Sequence, residues 1–200
     1  MHWDSLFSDL EDQLSAEWES ERAALDTEAE RLRIARVTLR MRLCALAAAR
    51  AAVTVHVAGA APVAVQLRDV GADWFSADPG RHGMMLIPLG APLSLQLEQP
   101  ALLASVEAAA PDDGLRGRMT LGFVLRDLAR RRVPVTISDT SGGRLTGTID
   151  RAGADHLDLA VHDLDEPRRR EAVRGYRMVP FSALAIVTLE RGGARPGGVL

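Results

Sequence analysis

Lysine is absent from this sequence; all 24 basic residues are arginine. Together with the abundance of alanine and glycine, that reads as a GC-rich coding bias. Cysteine is nearly absent. With Cys44 alone no disulfide can form within the chain, which fits a reducing compartment. Cys44 lies among Leu43 and Leu46 on an apolar helical face, where a small buried hydrophobe is expected. Aromatic residues make up only 4%, so any core must be built from Leu, Val, Ala and Ile. No apolar run approaches the ~18 residues of a membrane span. Met1-His2-Trp3-Asp4 has neither the basic nor the apolar region of a secretory signal. A cytoplasmic location is therefore expected, without membrane association.

The chemistry-bearing motifs are missing too. There is no Gly-x-Ser-x-Gly elbow, no phosphate-binding loop and no Gly-x-Gly-x-x-Gly fingerprint. The five histidines form no His-x-x-x-His spacing, and no Cys-x-x-Cys exists. His156, Asp158 and His162 lie on or beside one strand, but alternation alone puts His156 and Asp158 on one solvent face. No enzyme activity, cofactor or metal is expected.

What is present is a duplication. Arg36–Ala77 aligns with Arg118–Leu159 at an offset of 82 residues without a gap, and 12 of 42 positions are identical. The matches include Thr38/Thr120, Leu43/Leu125, Arg50/Arg132, Val53/Val135 and the triplet Gly71-Ala72-Asp73 against Gly153-Ala154-Asp155. A second block, Gly83–Leu97, follows Gly175–Leu189 at an offset of 92, pairing Pro88 with Pro180 and Ala91 with Ala183. The ten extra residues fall between the blocks, where they would lengthen a surface hairpin.

Charge is divided unevenly. Residues 1–33 carry ten acids and three arginines, a net −7, against −3 for the whole chain, so the rest carries +4. Leu6, Leu10, Leu14 and Trp18 recur every four residues there, and Leu25, Ala29 and Leu32 resume the stripe. That spacing predicts one long amphipathic helix, acidic on its other face. Such a stripe must be covered by the rest of the chain, by a second copy or by a partner.

Each repeat opens with a helix, Leu39–Arg50 and Thr120–Arg132, and continues with short alternating segments. In the second repeat these are Val133–Ile137, Arg144–Asp150, His156–Val161, Tyr176–Val179 and Ala183–Leu189, with Ser141-Gly142-Gly143 as a hairpin turn. A helix and five short strands suggest a small, strongly bent barrel. The expected fold is mainly β with helices. An acidic helix (1–33) precedes barrel repeat 1 (34–98), a linker (99–116), barrel repeat 2 (117–190) and a disordered tail (191–200).

Gly143-Arg144-Leu145-Thr146-Gly147-Thr148-Ile149-Asp150, the third-strand apolars Leu157 and Leu159, and the corner Met178-Val179-Pro180-Phe181-Ser182 together resemble the Sm-like barrel. The likeness spans Thr120–Leu189 and reaches repeat 1 only through the internal alignment. SH3-like and PRC-type barrels share its strand rhythm. The whole chain also resembles actinobacterial proteins labelled as Fis-type transcriptional regulators, although it contains no helix-turn-helix pattern. The Sm resemblance implies binding of uridine- or adenine-rich RNA through an Asp/Asn loop and an Arg-Gly loop. Here the loops are Asp155-His156 and Val179-Pro180-Phe181-Ser182 in repeat 2, and Asp73-Trp74 and Ile87-Pro88-Leu89-Gly90 in repeat 1. The resemblance also implies assembly through edge strands, and a tandem pair could satisfy its own edges and stop as a pseudo-dimer.

Two functions follow as expectations. One is a non-enzymatic adaptor that docks a protein partner, or itself, through Leu6, Leu10, Leu14 and Trp18 and through repeat 1, where alternation puts one ring of the Trp74-Phe75 pair outside and Trp74 is either that exposed anchor or packed under the helix against Trp18 or Leu14. The other is an RNA- or DNA-binding regulator, in which Arg130, Arg131 and Arg132 at a helix end meet Arg168, Arg169, Arg170 and Arg174 on one phosphate backbone.

Overall fold

The computed structural model describes residues 3–80, 83–107, 114–164 and 169–189, with the side chains of 3–10 and 12 excluded. The expected tail, 191–200, lies outside the described residues. The chain divides into two compact units, Met1–Thr38 and Leu39–Leu200.

The first unit is α1, a 33-residue helix from Trp3 to Ala35. Glu28–Arg31 and Glu30–Arg33 pairs, three residues apart, brace its last turns.

The second unit is mainly β with helices. α2 (Leu39–Ala48) leads into β1 (Ala52–Val57), β2 (Val63–Val70), β3 (Trp74–Asp78), β4 (Met84–Pro88) and β5 (Pro92–Gln96). α3 (Gln99–Glu107) and a short 3-10 turn (Leu115–Arg118) follow within the segment expected to be a linker. α4 (Leu121–Arg131) then precedes β6 (Pro134–Asp139), β7 (Arg144–Ala152), β8 (His156–Val161), β9 (Gly175–Pro180) and β10 (Leu184–Leu189).

All ten strands form one antiparallel sheet in the order β5-β1-β2-β3-β4-β10-β6-β7-β8-β9. The first half reads 5-1-2-3-4 and the second repeats that order. The registers repeat as well. Phe75↔Ile87 becomes Leu157↔Val179, and Val70↔Phe75 becomes Ala152↔Leu157. Even the irregularity where β5 leaves β1, at His56/Val57, recurs where β10 leaves β6, at Leu184/Ile186. The duplication seen in the residues is therefore a duplication of backbone pairing. The lengthened connection falls between β8 and β9, as the offsets required.

Local chemistry explains the shared features. α2 and α4 both run into a left-handed arginine, Arg50 (φ 50°) and Arg132 (φ 54°). In each case the next residue's N–H bonds back to the helix, Ala51 to Leu46 and Val133 to Leu128, which closes the terminal turn. Gly71 and Gly153 are fixed by the ring three residues on. A Cβ on Gly71 would overlap the Trp74 indole, and one on Gly153 would press on the His156 imidazole.

The halves are joined by β4 and β10, which pair Met84↔Leu189, Met85↔Thr188 and Leu86↔Val187. The sheet passes through this junction unbroken, so each half lends side chains to the other's core. Ala185 and Ile186 of β10 pack in the first core with Leu43, Val55, Leu67 and Phe75. Trp74 and Leu86 of the first half pack in the second core with Leu121, Leu125 and Leu128. Among the described residues, β5 pairs with β1 alone and β9 with β8 alone, so both outer edges of the sheet are open.

Candidate functional site

The helix stripe is exposed where its side chains are described. Leu14 is 55% accessible, Trp18 75% and Leu25 71%, and Leu32 is likewise exposed. These four positions recur at four- and seven-residue intervals, as the helix repeat requires. Leu6 and Leu10, which belong to the same stripe by spacing, lie outside the described side chains. The Glu30 carboxyl is held below the usual carboxylate range by its hydrogen bond to Arg33.

Alternation puts one ring of the Trp74-Phe75 pair outside, but Phe75 is buried and so is Trp74. It is only 5% accessible, and its indole Nε1 donates to the Met119 carbonyl at 2.9 Å. β3 is buried at four consecutive positions, because one of its faces lies on each core. Period-2 alternation between core and solvent does not apply to a strand covered on both sides. The residue that flanks Trp74 has a matching role. Asp73 Oδ1 accepts the Leu121 N–H at 2.6 Å, placing a carboxylate at the positive end of α4. Ala72 N–H also donates to Met119 O, and Arg116 pairs with Asp69 at 2.6 Å. The loop before β3 in repeat 1 therefore holds the halves together.

In repeat 2 the equivalent loop is open. The Asp155 side chain is 89% accessible, and its carboxylate bonds the His156 ring at 2.8 Å. That bond holds the Asp155 carboxyl below the ordinary carboxylate range. The backbone is unchanged between the two loops. Gly153 N–H donates to His156 O as Gly71 N–H does to Trp74 O, and Phe181 N–H donates to Asp155 O as Leu89 N–H does to Asp73 O.

Four of the arginines expected to act together are paired with nearby carboxylates. Arg130 and Arg131 both pair with Asp127, one turn back on α4, with Arg131 at 2.7 Å. Arg132 faces Asp150 of β7 at 3.6 Å, and Arg174 pairs with Asp163. Arg169 and Arg170 are exposed. Arg168 lies outside the described residues.

Sequence reasoning missed the setting of His162. Its ring is 1% accessible, with Nε2 bonded to Thr148 Oγ1 and Nδ1 to the Asp163 carbonyl, both at 2.8 Å. Burial with both nitrogens satisfied is a structural role. No group of three or more metal-ligating side chains occurs among the described residues, and no described helix is long and apolar enough to cross a membrane. Compared with protein-family models, curated proteins and solved structures, the chain matches none.

Proposed function

We propose that the protein is a non-enzymatic adaptor, built from two Sm-like five-stranded halves, that docks a protein partner through the apolar stripe of α1. The repeated 5-1-2-3-4 strand order supports the Sm-like reading of each half. The observation that carries the docking proposal is Trp18, 75% accessible and in line with exposed Leu14, Leu25 and Leu32. Tryptophan is the commonest kind of interface anchor, and burying each such side chain contributes about 1.5–3 kcal/mol. The acids around the stripe define the partner's chemistry: an apolar groove rimmed by basic side chains, which would gain from the net −7 of residues 1–33. Trp74 plays no part in docking, because it is buried.

The test is co-purification of the full chain from its native cell with nuclease present, beside a Leu14→Asp/Trp18→Asp variant. A stoichiometric protein that accompanies the wild type and is lost from the variant is expected. An unchanged set of co-purifying proteins refutes the docking role of α1.

Nucleic-acid binding through the second half is the lesser reading, supported by exposed Arg169 and Arg170 beside Arg174. Any such affinity must fall steeply with salt and weaken in Arg169→Ala/Arg170→Ala. Carboxylate pairing of Arg130, Arg131, Arg132 and Arg174 counts against it.

A further inference from the structure

One recess occurs in both halves and is used differently in each. In the second half, Leu121, Val124 and Leu128 of α4 and Val187 and Leu189 of β10 pack in one core with Trp74 and Leu86. At offsets of 82 and 92 residues their counterparts are Leu39, Arg42 and Leu46 of α2 and Leu95 and Leu97 of β5. Those five residues line an open groove of about 270 Å³, with Leu93 of β5 and Leu102 of α3 beside them. Leu39 is 50% accessible, Leu93 74% and Leu102 41%, so the apolar lining faces solvent. A surface that accepts an indole and a leucine side chain in one half is thus repeated as a groove in the other.

Two positions break the likeness. Ser94 on the groove stands where the second half has Ile186, and Arg42 stands where it has Val124. Among the described residues, Arg42 is the only charge on the lining. Its guanidinium is fixed: Nε donates to Ser105 Oγ at 2.9 Å and Nη2 to the Leu102 carbonyl at 2.8 Å. Ser105 is 3% accessible and donates its own hydroxyl to Leu102 O at 2.7 Å, so its lone pair is aimed at Arg42. Both partners of the guanidinium are neutral, and those two bonds use two of its five N–H donors. The groove therefore combines an apolar body with one oriented cation whose charge its hydrogen-bond partners leave uncompensated.

We propose that this groove binds a small aryl carboxylate, its ring system in the place that Trp74 takes in the second half and its carboxylate on Arg42. A planar guanidinium matches a carboxylate edge to edge, through two parallel hydrogen bonds. One cation fits a monoanion better than a phosphate ester, which carries nearly two charges. Size narrows the ligand further. A cavity of ~150 Å³ lined by Leu, Ile and Phe takes benzene, so about 270 Å³ admits a bicyclic ring. Larger ligands occupy sites of ~300–1,000 Å³. Apolar walls with a few placed polar groups are the usual make-up of such sites, and here Arg42 and Ser94 supply those groups.

Naphthoate and its neutral isostere naphthamide test the proposal on the full chain. Isothermal titration should show one saturable site for naphthoate with a Kd of about 0.1 mM or below, and binding about tenfold weaker for naphthamide. Arg42→Gln should weaken naphthoate about tenfold and leave naphthamide unchanged, a control that a misfolded variant would fail. Ser105→Ala, which loosens the guanidinium without removing it, should have a smaller effect in the same direction. Leu93→Ser, at an exposed position, should weaken both ligands. Methyl resonances of Leu93, Leu95 and Leu102 should move on titration. No saturation at concentrations that fill a ~1 mM site overturns the proposal. So does equal affinity for naphthamide, or naphthoate binding undiminished by Arg42→Gln. Leucine methyl shifts that follow protein concentration and not naphthoate would give the groove to a second copy of the chain, and overturn it as well.

Discussion

Replacing Trp74 with alanine should weaken both halves at once. The indole is 95% removed from solvent. A tryptophan buries about 150–250 Å², which at ~25 cal/mol per Å² corresponds to about 4–6 kcal/mol of burial. Alanine retains a small part of that, and partial collapse of the surroundings recovers some of the rest, so the expected loss is about 3–5 kcal/mol. The hydrogen bond to Met119 O contributes about 1 kcal/mol. Its loss leaves no orphan, because Ala72 N–H still donates to the same carbonyl. Trp74→Phe, which keeps most of the apolar volume, should therefore cost about 1–2 kcal/mol. Urea unfolding followed by far-ultraviolet circular dichroism gives the midpoints. One transition with an unchanged slope is expected for each variant, because Trp74 leaves the first half and packs in the core of the second. A loss below about 1 kcal/mol for Trp74→Ala would contradict its burial. A second, separate transition in the wild type would contradict the shared cores.

Two smaller effects follow from the repeats. Arg50 ends α2 in the left-handed region at a cost of about 1–2 kcal/mol that glycine does not bear. Arg50→Gly is therefore expected to be neutral or to stabilise by up to about 1 kcal/mol in the same urea assay, even though most substitutions destabilise. Asp155 has a lowered folded pKa caused by His156, so its contribution is complete above the unfolded pKa and disappears as pH falls through the lowered folded value. The stability difference between wild type and Asp155→Asn, measured across an acid titration, should be present at neutral pH and shrink to nothing on the acid side.

Much of this architecture is written in local residues. The Gly-Ala-Asp triplets mark equivalent turns because a ring packs over each glycine, and the two gapless blocks carry over into backbone register pair by pair. The long helix is legible from leucines spaced by four, and the pairing of Arg130 and Arg131 from an aspartate one turn earlier. The junction was not legible. Each repeat contains the same two edges, and nothing in either edge says which of the four will meet. Trp74 was misplaced for the same reason: only the junction puts a second core over the outer face of β3. Asp73 likewise looked like a loop acid until α4 arrived at its carboxylate. Relations between halves depend on side chains about 50 residues apart, such as Asp73 with Leu121, and periodicity within a segment carries no record of them.

The claim on which the rest depends is that β4 and β10 make two repeats into one sheet. Hydrogen exchange resolved by peptide tests it most directly. Amides of residues 84–88 and 184–189 should be protected as strongly as those of the interior strands β1 and β7, while β5 and β9 exchange faster at the open edges under dilute conditions. If 84–88 and 184–189 instead exchange at the rate of β5 and β9, the halves are not joined as described.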